Sequence, residues 1–504
     1  MYIRHAYKTT FNRDAEMEPT HQPYVSIILP TYNENTLLVS VVSALCSQSY
    51  PPSLLNVIIV DDCSSIPVSS FISDDLPVRI TIIRHTQNMG RASARNTGLI
   101  HATGELVIFL DSDIIPDHHL VEQHVNCYIA GDKKAVLGTV RWHPDVKRNN
   151  FTRFGKWFEY DTVLDKPELD FNDFAGANVS IEKALLTKYS IRFDSNFTAY
   201  GMEDIELGYQ LKQQGFRFLF CPSAIGLHCR QATLGDQIKR SEQSAHSIHY
   251  FLSKYNFDST ISDKLHIVPH SVYEQFIDIF DKAYTRATEL VSILDSFDRQ
   301  YYSSFEEECY ATSAIFLIES APYRQLYHSP VSTPELPTLI DTAVDRALRV
   351  VLISELMDGN ASGETLFKNY IQPLSDNPLK QSLCHELGRY FILLNMPEDA
   401  KYILEKGLMI STPIDKTYFL MIYLLASVHK NESNYYVASL LFNRIIQEGK
   451  PFLHKSQYAS ALFHTGQILL TCYNTPSEAS TYFKKAVELC PEHKSARLAL
   501  VTCA

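Results

Sequence analysis

From Tyr24 onward, short and nearly continuous apolar runs alternate with stretches whose apolar residues recur at helical spacing. The runs VSIILP (25–30), LNVIIVDD (55–62), VRITIIRH (78–85) and ELVIFLDSD (105–113) are rich in β-branched residues and read as strands buried on both faces. Between them, TLLVSVVSALCSQ (36–48) and GRASARNTGLIHA (90–102) read as helices. This alternation predicts an α/β domain built on a parallel sheet covered by helices. Ligands of such sheets sit beyond the carboxyl ends of the strands, and PTYNE, DDCSS and DSD all fall at those ends.

After about residue 235 the strand texture stops and the chain reads as helical through residue 504, broken by the turn-rich SPVSTPELP (329–337). The last stretch repeats. Ala400, Leu404 and Gly407 align with Ala438, Phe442 and Ile445, and again with Ala479, Phe483 and Ala486, at periods of 38 and 41 residues. A small residue, a large apolar one four later and a small or medium one three beyond suit two helices that cross closely. The pattern resembles tetratricopeptide repeats, whose period is about 34 residues, with extended turns; an ordinary helical bundle is the competing reading. The expected organisation is an extension (1–23), the α/β domain (24–235), a helical middle region (236–380) and a helical-repeat region (381–504).

Composition narrows the function. A formal charge of −12 over 504 residues argues against a nucleic-acid or anionic-membrane binder, which relies on clustered Lys and Arg. No segment reaches the roughly 18 apolar residues of a membrane span, and the polar amino terminus lacks the apolar core of a signal peptide. The ten cysteines are scattered without a C-x-x-C pair. A cytoplasmic protein with free thiols is expected.

Candidate chemistry gathers at the strand ends. Asp111 and Asp113 lie two apart on an extended segment, so both carboxylates can face one way and suit Mg²⁺ or Mn²⁺, which bind carboxylates together with substrate phosphates. Tyr32 offers a stacking face, Asp62 an acceptor for a base imide, and Arg91 with the glycine before it a phosphate site at a helix start. In TAYGMEDIELGYQL (198–211), Glu203 and Asp204 have a plain explanation as acidic residues of a first helical turn. Their place after a nucleotide-suited cleft gives them a second one, as catalytic carboxylates.

In order and spacing, SIILPTYNE, VIIVDDCSS, NMGRASARNTGL, LVIFLDSD, FAGANVSI and YGMEDIELGYQL resemble the inverting family 2 glycosyltransferases of GT-A fold. The later motifs are most similar to chondroitin- and galactosaminyl-type members, whose acidic motif reads W-G-G-E-D. The resemblance covers residues 24 to about 230. It implies that Pro30, Tyr32, Glu34 and Asp62 line a nucleoside pocket, that Asn88, Arg91 and the Asp111-Ser112-Asp113 segment hold the donor's ribose and phosphates, and that Asp113, with Asp111 and His228, attends a Mn²⁺ or Mg²⁺ ion. Gly176 and Asn178 would face sugar and acceptor, Asp204 would be the general base, and Glu203 would orient the acceptor. Tyr200 stands where the motif has tryptophan, Met202 where it has its second glycine, and Cys63 where a glycine follows the paired aspartates, so the acceptor wall near Tyr200 and Met202 should differ. No Q-x-x-R-W processivity motif is present.

The implied reaction is a single displacement from a nucleoside-diphosphate sugar, with UDP as the implied nucleotide and GDP or dTDP left open, to a glycan, lipid-linked or protein acceptor. The carboxyl-terminal repeats offer a surface for a protein partner or a second copy of the chain. A rival reading is a scaffold protein that acts through those repeats and carries an inactive transferase-like domain; Asp113 and Asp204, whose loss would mark such a domain, are both present. A nucleotidyltransferase is a further rival, but PTYNENT stands where a glycine-rich, lysine-bearing loop would be.

Overall fold

The four apolar runs fold as the strands β1 (Val25–Thr31), β2 (Leu55–Asp61), β3 (Arg79–Arg84) and β4 (Leu106–Leu110); β1, β2 and β4 are buried along their whole length, whereas β3, at the edge of the sheet, is partly exposed. The computed structural model describes residues 22–73, 75–154, 169–265, 277–296, 303–327, 340–359, 361–410 and 414–502. Most of the expected extension (1–23) and the expected linker at 329–337 lie outside these residues. The described residues of Met1–Lys147, Trp157–Gln231 and His246–Lys254 form one compact unit, and those of Arg148–Lys156, Ala232–Ala245 and Tyr255–Ala504 form a second.

The first unit is an α/β layer structure. β1 pairs in parallel with both β2 and β4, and β2 with β3. Helix Asn35–Cys46 buries Leu38, Val41, Val42 and Leu45 in the same core as the apolar faces of these strands. The parallel pairing expected of the four runs holds among β1 to β4, and the sheet becomes mixed beyond β4. Four further strands, β5 (Ile114–Pro116), β6 (Lys134–Trp142), β7 (Asn178–Glu182) and β8 (Arg217–His228), complete one mixed sheet of order β3-β2-β1-β4-β7-β6-β8-β5. β7 runs antiparallel to β4 and β6, and β5 antiparallel to β8.

This reversal positions the site. An antiparallel β7 starts where β4 ends, with Asn178 opposite Leu110, so the turn before it lies beside Asp111, whose N–H donates to Ala177 O at 3.1 Å. Likewise β8 ends opposite the start of β5, with His228 paired to Ile114, and Cys229 N–H donates to Asp113 O at 2.9 Å. Asp113 and Cys229, more than a hundred positions apart in sequence, thereby meet at the strand ends beside Asp111.

The helix Glu203–Gln213 opens at Met202 without a side-chain cap and carries Glu203, Asp204 and Glu206 in its first turn. Its buried face includes Leu207, Gly208, Tyr209 and Leu211. Tyr209 packs edge-on against Phe171 at 5.1 Å and Phe251 at 6.0 Å. Phe251 belongs to the last turns of helix Leu234–Lys254.

The second unit is helical. Its carboxyl-terminal part pairs Asn377–Leu393 with Pro397–Leu408, Lys416–Asn431 with Tyr435–Glu448, and Lys455–Cys472 with Pro476–Leu489. All nine positions of the sequence repeat are buried, each triplet on the second helix of a pair. The close crossing is literal at Gly466, where a Cβ would stand 2.6 Å from the Phe483 ring. Among the described residues no helix is long and apolar enough to cross a membrane, and the described cysteines are free thiols.

Candidate active site

A cleft of about 350 Å³ opens at the carboxyl ends of β1, β2 and β4. The segment after β1 supplies Pro30, Thr31, Tyr32 and Glu34; the end of β2 supplies Asp62; Asn88, Gly90 and Arg91 come from the start of helix Arg91–His101, with Ala94 behind them. Asp111, Ser112 and Asp113 close the floor, and Arg230 enters from beyond β8. The donor-side residues named from sequence are thus all brought together on one surface.

Tyr32 is 50% exposed, an open aromatic face. Asp62 is buried and heavily engaged. Its Oδ1 accepts from Met89 N–H at 2.8 Å and lies 2.7 Å from His85 Nδ1, while its Oδ2 accepts from Gly90 N–H at 2.8 Å. The carboxylate therefore shapes the 88–90 loop as well as lining the cleft.

The two aspartates of DSD have different surroundings. Asp111 Oδ1 accepts from Arg95 Nη2 at 2.8 Å. Asp113 Oδ2 lies 3.7 Å from His228 Nε2. Burial, and after it the charge of Asp111, pushes the Asp113 carboxyl above its usual range, against the pull of His228, Arg230 and Arg91. Among the described residues no group of three His, Cys, Asp or Glu is gathered as a complete metal cage. Asp113 nevertheless lines the cleft, and His228, outside the lining, brings its Nε2 beside it, so that an oxygen and a nitrogen donor stand together. That donor set fits an ion whose remaining ligands come from substrate phosphates and water.

Glu203 of the acidic pair is tied to this floor by arginines. Glu203 Oε1 accepts from Arg91 Nη1 at 3.2 Å and from Arg95 Nη1 at 3.1 Å. Arg95 is almost fully buried and so links Glu203 to Asp111 through one guanidinium. Its faces are covered: the Phe193 ring lies 5.1 Å from Cζ, and a Cβ on Gly176 would stand 3.1 Å from the same atom. Gly176 is thus small because the guanidinium lies against it. Its N–H donates to Asp204 Oδ2 at 3.3 Å, while Ile205 N–H donates to Oδ1 at 2.9 Å.

Asp204 is half-buried, and its pKa rises from 3.8 to about 6. Burial is the main cause and the Glu203 charge the next; Arg95 and the two backbone N–H groups oppose them. The helix start lowers the pKa, as its dipole requires, but burial outweighs it. A carboxylate in this range is suited to accept a proton near neutral pH.

The residues expected on the acceptor side separate. Tyr200 carries the Arg91 guanidinium 5.4 Å from its ring centroid. Asn178 is buried inside the sheet: its amide donates to Thr139 O at 3.2 Å and Ala224 O at 3.0 Å, and its Oδ1 lies 3.0 Å from His124 Nε2. Asn178 pins β7 to its neighbours and does not line the cleft. Met202 and Cys63 both have positive φ, +70° and +65°. These are the two positions where the resembled motifs carry glycine, so the backbone keeps the glycine conformation while the side chain departs from it.

Sequence reasoning missed Arg95 and Arg230. Arg95 stands four residues after Arg91 on one helix, which puts both on one face. Arg230 stands two beyond His228 and gave no pattern of its own.

Residues 26–186 match the family described as Glycosyl transferase family 2, and the chain therefore carries a family 2 glycosyltransferase domain. It is 27% identical over 225 residues to validoxylamine A glucosyltransferase of Streptomyces hygroscopicus subsp. limoneus, covering 39% of this chain and 49% of that protein. It is 29% identical over 248 residues to hyaluronan synthase of Pasteurella multocida, covering 42% and 25%. The chain thus spans half or less of these relatives' lengths. Among solved structures it is similar to the mannosyltransferase PcManGT from Pyrobaculum calidifontis in complex with GDP-Man and Mn²⁺, at 17% identity and TM-score 0.41, covering 79% of this chain and 91% of that one.

Proposed function

We propose that the protein is an inverting, metal-dependent glycosyltransferase that moves a sugar from a nucleoside-diphosphate donor, UDP foremost, to an acceptor hydroxyl. One observation carries the reading: Arg91 and Arg95 join Glu203, the neighbour of Asp204, to the floor of a nucleotide-sized cleft. Family 2 membership of the domain supports the reaction class.

In this reading Tyr32 stacks on the base, Asp62 reads its imide edge, and Asn88, Arg91 and Ser112 hold ribose and phosphates. Asp113 and His228 are the direct holders of a Mn²⁺ or Mg²⁺ ion, which when bound offsets the charge growing on the leaving diphosphate. Asp111, fixed by Arg95, orients the ribose side. Asp204 takes the proton of the acceptor hydroxyl as it attacks the anomeric carbon from the face opposite the diphosphate, which inverts the configuration. Glu203 acts through its arginines as a positioning residue, and Tyr200 and Met202 flank the acceptor entrance. The helical pairs of the second unit, read as tetratricopeptide-like, serve as a surface for a protein acceptor, a partner or a second copy.

The test is a panel of UDP-, GDP- and dTDP-sugars with Mn²⁺ or Mg²⁺, scored by nucleotide release with and without EDTA. Release from one donor that EDTA abolishes is expected. If no donor is bound or hydrolysed, the reading fails.

A further inference from the structure

Arg91 and Arg230 both line the cleft, and their ion pairs differ in burial. Arg91 holds Glu203, whose side chain is 5% exposed. Arg230 is 49% exposed and pairs at 3.0 Å with Glu34, itself 19% exposed. Glu34 stands just before helix Asn35–Cys46, where its side chain makes no capping hydrogen bond. Arg230 follows the end of β8 by two residues. In the sheet, β4, β7 and β6 separate β1 from β8. The pair therefore bridges two segments that the sheet itself keeps apart, across the opening that Asp62, Asp111 and Asp113 also line.

A nucleoside diphosphate entering this acidic cleft gains from a second guanidinium able to turn toward it, beside Arg91, which stays with Glu203. Taking Arg91 from Glu203 would weaken the compensation of a buried carboxylate, which is costly. Taking Arg230 from Glu34 breaks a pair of the weaker, partly solvent-screened kind. Guanidinium and phosphate in turn match as a bidentate, charge-assisted pair.

We propose that the Arg230–Glu34 ion pair is a latch across the donor cleft that a nucleoside diphosphate opens, Arg230 leaving Glu34 to pair with the phosphates. The inference rests on the donor-cleft reading above. Glu34 then competes with the diphosphate for Arg230, and reclosure of the latch helps expel the spent nucleotide.

Calorimetric titration of the full chain with UDP, GDP and dTDP in turn, in excess MnCl₂, tests this on the wild type, Arg230→Ala, Glu34→Gln and the double variant. For the nucleotide that binds, Arg230→Ala should weaken affinity about tenfold or more and Glu34→Gln should tighten it about threefold or more, whereas Glu34→Gln added to Arg230→Ala should change it less than about twofold. Both side chains are partly exposed, and thermal melts check that the variants stay folded. Weaker binding in Glu34→Gln would mean that Glu34 itself holds the nucleotide, and would overturn the latch. So would an unchanged Arg230→Ala, or an equal gain from Glu34→Gln without Arg230. A wild type that binds none of the three nucleotides overturns the donor-cleft reading and the latch with it, which sets that failure apart from the others.

Discussion

Arg95 Nη1 donates to Glu203 Oε1 at 3.1 Å with both side chains nearly withdrawn from water, 1% and 5% exposed. The same guanidinium reaches Asp111 at 2.8 Å, so one residue holds carboxylates from two elements. Arg95→Met should destabilise the first unit by about 3–5 kcal/mol, because buried charge is left undercompensated. Adding Glu203→Gln should recover part of the loss. The chain's two tryptophans, at 142 and 157, make urea unfolding followed by fluorescence the natural measurement.

The pKa of Asp204, raised from 3.8 to about 6, predicts two opposite effects. As the proposed base it must be ionised, so kcat/KM should fall as pH drops through about 6, and Asp204→Asn should bind nucleotide but lose transfer. For stability the sign reverses. The folded state holds this proton more tightly than the unfolded state, so stability is lost as pH rises from about 4 to 6 and stays lower above. Asp204→Asn should therefore be more stable than wild type at pH 8 by about 1–2 kcal/mol, reduced from the full linkage value by the residue's partial exposure, and no more stable below pH 4. Melts at the two pH values, set beside turnover, check both.

Asp113 and His228 lie 3.7 Å apart at the strand ends. As the proposed holders of the ion, Asp113→Asn and His228→Gln should each raise the Mn²⁺ concentration for half-maximal nucleotide release by about tenfold or more. Equal Mn²⁺ titration curves for the wild type and both variants would remove these residues from the metal site.

Met202 and Cys63 hold left-handed backbone at φ +70° and +65°. Met202→Gly and Cys63→Gly should each stabilise by about 0.5–1 kcal/mol, the relief of an L-residue's steric cost less the extra freedom glycine gains when unfolded. Cys63→Ala keeps the Cβ and should give no such gain. Thermal melts of the three variants decide it.

Phe442 and Phe483 are fully buried repeat positions, while Tyr436, on the same helix as Phe442, is 68% exposed. Phe442→Ala and Phe483→Ala should each cost about 3–5 kcal/mol; Tyr436→Ala should fall within about 0.5 kcal/mol of wild type. Urea unfolding followed by far-ultraviolet circular dichroism, which is sensitive to these helices, reads the contrast.

Much of the fold was legible because its signals are local. Apolar, β-branched runs became β1 to β4 within a residue or two at the starts, and the helical repeat marked nine positions that are all buried. β5 to β8 gave weaker signals, and nothing local states the direction in which a strand pairs. The parallel pairing expected from alternation holds for β1 to β4, and the reversal of β7 beside β4 that makes the sheet mixed was not legible. Asn178 shows the same limit at one residue. Its motif suggested a cleft position, but the pairing of β7 turns its amide inward to Thr139 and Ala224.

By itself the sequence determined the strand ends at which chemistry gathers, the residue types suited to a nucleotide and a divalent ion, and the helical character of the carboxyl-terminal half. Those depend on side-chain chemistry and on periods of two and 3.6 residues, which are written along the chain. The tertiary structure alone decided that Arg95 joins Asp111 to Glu203, that Arg230 meets Glu34, and that burial lifts Asp204 to about 6 against its own helix dipole. Charge pairing and desolvation depend on distance and on exclusion of water. Both arise only when segments distant in sequence are folded onto one another.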